Sequence, residues 1–93
     1  MSSENSESWY IYIIETGQGT LYTGISKDVE KRFREHVKQG QQCAKYLKGK
    51  TPLTLVFQMM VNSKSEALRK EYEIKQLSTT EKRTLIKRRS FNP

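Results

Sequence analysis

From Trp9 to Ile14 the chain reads Trp9-Tyr10-Ile11-Tyr12-Ile13-Ile14, an aromatic and β-branched run with no charged or amide break. Such a run is too short for a helix and has the composition of a buried strand. Glu15-Thr16-Gly17-Gln18-Gly19 follows, and its two glycines, free to take positive φ, predict a turn. Thr20 to Ile25 alternates and predicts the return arm of a hairpin. Pairing symmetric about Gly17 sets Ile14 opposite Thr20 and Tyr12 opposite Tyr22. Directly opposed residues share a sheet face, so both phenols point into one small region.

Farther along, the period changes to that of a helix. Val29, Phe33 and Val37 recur at four-residue steps as an inward stripe, with Ser26 placed as N-cap, Asp28 in the first turn and Gly40 as the stop. Cys43 to Leu47 suits a short helical turn, and Pro52 marks the exit into a third strand, Leu53 to Val61. Ser63-Lys64-Ser65-Glu66 has capping-box spacing and opens a helix to about Leu77. Ser78-Thr79-Thr80-Glu81 repeats that signature before a last helix ending near Ile86. The order β-β-α-β-α-α predicts an α+β fold, a small three-stranded antiparallel sheet flanked by helices. One domain, 9–86, is expected between a frayed polar tail, 1–8, and a basic tail, 87–93.

Composition narrows the setting. With 34% apolar and 29% charged residues in 93, the core must be compact and the surface heavily charged. No apolar run approaches the roughly 18–20 residues of a membrane span. The start, Met1 to Ser8, lacks the basic and apolar parts of a secretion signal. Cys43, the single cysteine, excludes an internal disulfide and a cysteine-cage metal site; it reads as a packed thiol, and a cytoplasmic location is expected. The net charge is +7, and Lys27 to Lys50 alone holds eight basic and three acidic residues. Lys87-Arg88-Arg89 adds a second basic run. Such a field suits nucleic acid, and equally a well-solvated basic surface.

Two placements point to chemistry. On the helix from Ser63, positions 67, 71 and 74 share a face, so Glu71 lies between Ala67 and Ile74 on an inward stripe. A carboxylate there needs a paired cation, from a lysine or arginine or from a metal ion. Lys75, four residues on, is the nearest partner along the helix. Arg32 and His36, also four apart, flank the stripe of Val29, Phe33 and Val37 and emerge beside the packed face. Arginine offers phosphate a planar fork of donors, and histidine is suited to proton transfer.

Taken in order, Tyr10-Ile11-Tyr12, Leu21-Tyr22-Thr23-Gly24, Arg32 with His36, and Ala67-Leu68-Arg69-Lys70-Glu71 resemble the GIY-YIG nuclease superfamily. The resemblance spans Trp9 to Ile86. Leu21 to Ser26, Ala44-Lys45-Tyr46 and Glu71 to Leu77 look most like its small standalone bacterial members, the YhbQ-like proteins. It implies a metal-dependent endonuclease that hydrolyses phosphodiester bonds in DNA or RNA, DNA favoured, in DNA repair or nucleic-acid processing. Tyr12 would be the general base, Tyr22 its partner in orienting water or phosphate, Arg32 the stabiliser of phosphoryl charge and His36 a hydrogen-bonding assistant. Glu71 would be the one protein ligand to a single Mg²⁺ or Mn²⁺, held weakly until nucleic acid binds. Gly24 would allow a close backbone approach to substrate, and Lys45 and Tyr46 would contact it.

The chain departs from the family pattern at four places. Tyr10 stands for the first glycine, Thr23 for the isoleucine of the second triplet, and Ile25 for a common lysine. No asparagine lies between Ser63 and Phe91, where many members carry one. Tyr12, Arg32 and Glu71 are intact, which favours a nuclease over the alternative, a non-catalytic nucleic-acid-binding module on the same fold.

Overall fold

The computed structural model describes residues 8–88. The elements follow the expected order: β1 (Trp9–Glu15), β2 (Leu21–Ser26), α1 (Val29–Lys38), a 3-10 turn (Lys45–Leu47), β3 (Thr54–Val61), α2 (Lys64–Lys75) and α3 (Thr79–Arg88). The strands form one antiparallel sheet in the order β2-β1-β3. Of the expected tails, residues 1–7 and 89–93 lie outside the described residues. Among the described residues no helix is long and apolar enough to cross a membrane.

The unbroken run in β1 has a simple cause. It is the central strand and is covered on both faces, so Ile11, Tyr12, Ile13 and Ile14 are all buried. Ile11 and Ile13 join Phe57, Val61, Ala67 and Ile74 beneath α2. Tyr12 and Ile14 join Val29, Cys43 and Leu47 beneath α1 and the 3-10 turn. A bulge between Ile13 and Ile14 pairs Phe57 with Ile13 but Leu55 with Ile14, so Val56 is the extra residue.

The hairpin register differs from the expected one. Tyr12 pairs with Gly24 and Ile14 with Tyr22, so the strands are symmetric about Gln18 rather than Gly17. Thr16 explains the shift. Its backbone N–H donates to Thr20 O, and its Oγ1 accepts from the N–H groups of Gln18 and Thr20, closing a longer loop. Gly19 supplies the positive φ, at 83°. Gly17 instead lets the loop lie against Thr51, whose carbonyl would be 2.5 Å from a Cβ there. A slip of two residues preserves the face, so Tyr12 and Tyr22 remain on one side as diagonal neighbours.

Helix starts obey capping chemistry. Ser63 Oγ accepts from Glu66 N, and Glu66 Oε1 accepts from Asn62 N. Ser78 and Glu81 cap each other reciprocally at α3. At α1 the N-cap is Asp28, accepting from Lys31 N, not Ser26. Ser26 Oγ accepts from Asp28 N and so shapes the approach instead. Gln39, in the left-handed region, ends α1 one residue before Gly40.

Thr23 is buried opposite Ile13, and its Oγ1 has no hydrogen-bond partner. A buried hydroxyl without a partner costs free energy that a methyl group would not. Thr23→Val is therefore expected to raise stability by about 1 kcal/mol in urea unfolding. An unchanged or lower midpoint would show that the hydroxyl is satisfied.

Candidate active site

Tyr12 lies directly across from Gly24, and its ring passes over the glycine. A Cβ at Gly24 would sit 2.6 Å from the Tyr12 hydroxyl and 2.7 Å from the carbon bearing it. Glycine therefore lets a phenol from the middle of the sheet extend over the edge strand β2. The group that approaches Gly24 closely in this structure is the Tyr12 phenol.

His36 receives that phenol. Its Nε2 is 3.0 Å from the Tyr12 hydroxyl, and the Ala44 N–H donates to its Nδ1 at 3.3 Å. A backbone N–H can only donate, so Nδ1 is the acceptor nitrogen and the neutral ring carries its proton on Nε2. His36 thus donates to Tyr12 Oη. Burial, and then the neighbouring Arg32, push the His36 pKa down from 6.5 to about 4, with Glu35 acting weakly the other way. The sequence placed His36 beside the packed face, but it is 0% exposed while Val37 is 45% exposed. Seven residues make nearly two full helical turns and eight overshoot, so the stripe from Val29 runs to His36. Tyr12 supplies the partner that makes a buried imidazole tolerable.

The remaining groups surround this pair. The Tyr22 ring is 6.4 Å from Tyr12, edge-on to His36 at 5.8 Å, and stacked on Tyr46 at 5.9 Å. Tyr46 is half-exposed, with Lys50 Nζ 4.1 Å over its ring, and Lys45 is exposed in the same 3-10 turn. Arg32 Nη1 donates to Glu35 Oε1 at 3.0 Å and to Gln42 O at 2.7 Å. Glu71 comes from α2, which packs on β2 and β1. Burial lifts the Tyr12 pKa well above its ordinary 10, Tyr22 and Glu71 push the same way, and Arg32 opposes them. Tyr12, Tyr22 and His36 are thus in direct ring contact, and Arg32 from α1 and Glu71 from α2 reach the Tyr12 phenol electrostatically.

Glu71 is half-buried, and its Oε2 is 3.2 Å from Lys75 Nζ, the pair expected from their spacing. Among the described residues no group of three or more His, Cys, Asp or Glu could hold a metal ion. With Glu35 taken up by Arg32, Glu71 is a single carboxylate, which suits one kind of ion, a hard, hydrated divalent cation that keeps waters and borrows phosphate oxygens. Three contributors escaped the sequence reading. Glu35 was legible three residues after Arg32, whereas Gln42 and Ala44 act through backbone groups and leave no side-chain signature.

A family model described as the GIY-YIG catalytic domain matches residues 8–84. The chain belongs to the GIY-YIG family. GIY-YIG proteins form a nuclease superfamily acting on nucleic acid. The UPF0213 protein YhbQ of Escherichia coli K12 is 47% identical over 78 residues, 84% of this chain and 76% of that protein. A UPF0213 protein of Cronobacter sakazakii is 49% identical over 80 residues, 86% of this chain and 82% of that one. The solution structure of the UPF0213 protein BH0048 from Bacillus halodurans matches with a TM-score of 0.57 at 38% identity, covering 91% of this chain and 88% of that one.

Two outcomes test this geometry. Gly24→Ala is expected to cost about 1–3 kcal/mol, because the new methyl overlaps the Tyr12 phenol. An unchanged urea midpoint would show that the ring does not occupy that space. The second concerns pH. The folded-state pKa of His36, about 4, lies below the ordinary 6.5, so between those values the unfolded chain binds a proton that the folded chain refuses. The stability linked to neutral His36 is thus whole above the upper value and lost as pH falls through the lower one. The loss is on the order of 3 kcal/mol. His36→Gln should lose less stability on acidification than the parent chain; equal losses would contradict the assignment.

Proposed function

We propose that this chain is a divalent-metal-dependent endonuclease that hydrolyses phosphodiester bonds in nucleic acid, DNA before RNA, in DNA repair or nucleic-acid processing. The observation that carries the reading is the Tyr12 hydroxyl, held by His36 Nε2 and within electrostatic reach of Arg32 and Glu71. Tyr12 acts as general base toward the attacking water. The His36 N–H and the Arg32 charge favour its phenolate against the opposing pull of burial. Tyr22 orients the water or the phosphate. Arg32 meets the charge that grows on the phosphoryl oxygens, with Glu35 and Gln42 holding its guanidinium in place. Glu71 holds Mg²⁺ or Mn²⁺, which when bound supplies Lewis-acid charge at the phosphate. Gly24 serves by giving Tyr12 its path, and Lys45 and Tyr46 flank the substrate.

The second reading, nucleic-acid binding without turnover, draws on the raised pKa of Tyr12 and the pairing of Glu71 with Lys75. Cleavage of labelled single-stranded, duplex and branched DNA and of RNA, in Mg²⁺, Mn²⁺ and EDTA, separates the two. Wild type should cleave at least one substrate only with metal present. Glu71→Gln and Tyr12→Phe should each lower the rate by about 100-fold or more. Metal-independent cleavage, or equal cleavage by both variants, would contradict the catalytic reading. Binding with no cleavage by any form would establish the second.

A further inference from the structure

Lys75 lies one helical turn beyond Glu71 on α2, with its ammonium 3.2 Å from Glu71 Oε2. The partners differ in exposure, 52% for the lysine side chain and 20% for the glutamate, so the ammonium covers the open side of a half-buried carboxylate. The same lysine lines an open cavity of about 280 Å³ with Leu21, Tyr22, Thr23, Tyr46 and Lys82. Tyr22 joins that cavity to the cluster, because its ring also neighbours Tyr12 and His36. One flexible cation thus stands between two places for negative charge. The first is Glu71; the second is the cavity, where Lys82 adds a further positive charge and two tyrosine rings form apolar walls.

We propose that Lys75 is a built-in counter-ion for Glu71, released to a phosphate of the nucleic acid when that phosphate enters the cavity. Its departure opens the carboxylate to the divalent ion. The inference rests on the metal role proposed for Glu71 and assigns the order in which the site fills. An ammonium and a divalent ion compete for one carboxylate oxygen. A phosphate that takes the ammonium therefore strengthens ion binding, and by linkage the ion strengthens phosphate binding by the same factor. Lysine suits the task as a compact charge on a four-carbon stem that can swing between partners, which a planar guanidinium held by two bonds does less readily. An ion pair serving only to support the helix would also oppose metal binding, but the oligonucleotide would then tighten Mn²⁺ binding equally with and without Lys75.

The test is a Mn²⁺ titration of the full chain, read from free Mn²⁺ by electron paramagnetic resonance. It is run with and without a short phosphorothioate oligodeoxynucleotide that resists cleavage. Lys75→Met should bind Mn²⁺ about two- to five-fold more tightly than wild type without the oligonucleotide, the range set by a partly exposed ion pair. In wild type the oligonucleotide should tighten Mn²⁺ binding, and in Lys75→Met that added tightening should shrink by the same factor. Circular dichroism checks that each variant is folded. If Glu71→Gln loses Mn²⁺ binding but Lys75→Met matches wild type, the metal reading stands and the counter-ion proposal is overturned. If Glu71→Gln binds Mn²⁺ as wild type does, the metal role of Glu71 fails and the proposal fails with it.

Discussion

The hydrogen bond from His36 Nε2 to the Tyr12 hydroxyl, 3.0 Å long and closed to solvent, ties the central strand to α1 and depends on Gly24 having no side chain. Three elements meet there. The strand β1 brings the phenol, β2 provides the gap, and α1 brings an imidazole whose other nitrogen is occupied by the Ala44 N–H. The Ala44 N–H can only donate, so the tautomer of His36 follows from the backbone. A buried polar network of this kind is costly when incomplete and rigid when satisfied. Tyr22 packs beside the phenol that this bond fixes, and Arg32 and Glu71 act on it electrostatically.

Much of the architecture was readable because it follows from periodicity and capping. The β1 run, the α2 capping box and the reciprocal caps of α3 are local signals that tertiary packing did not override. The hairpin register was not readable from glycine positions, because Thr16 closes the loop and Gly17 serves contact with Thr51. The shared face of Tyr12 and Tyr22 nevertheless survived, since strand periodicity tolerates a slip of two. His36 and Val37 exchanged their expected places for a different reason. A polarity rule sends histidine outward, but a phenol from another strand makes the inside satisfactory, and that partner lies 24 residues away. Gly24 was legible as a place of close approach, and its visitor was not.

Charge gives the site its second constraint. Burial, Tyr22 and Glu71 all hold the Tyr12 proton in place, with Arg32 set against them. On the proposed catalytic reading, positive charge must gather at the phenol before it can accept a proton. Lys75 on Glu71, Lys50 over Tyr46 and Glu35 on Arg32 show the resting site already internally paired. On the proposed reading, an arriving polyanion would rearrange these pairs, and the basic surface of the chain would attract it.

Because His36 is the only histidine in the chain, its ring nitrogens can be read without ambiguity by long-range proton–nitrogen NMR correlation. The account predicts a neutral ring at pH 7, protonated on Nε2 and bare on Nδ1, with the Nε2 signal moving when Tyr12 is replaced by Phe. An imidazolium at pH 7, a proton on Nδ1, or a spectrum indifferent to Tyr12→Phe would contradict it.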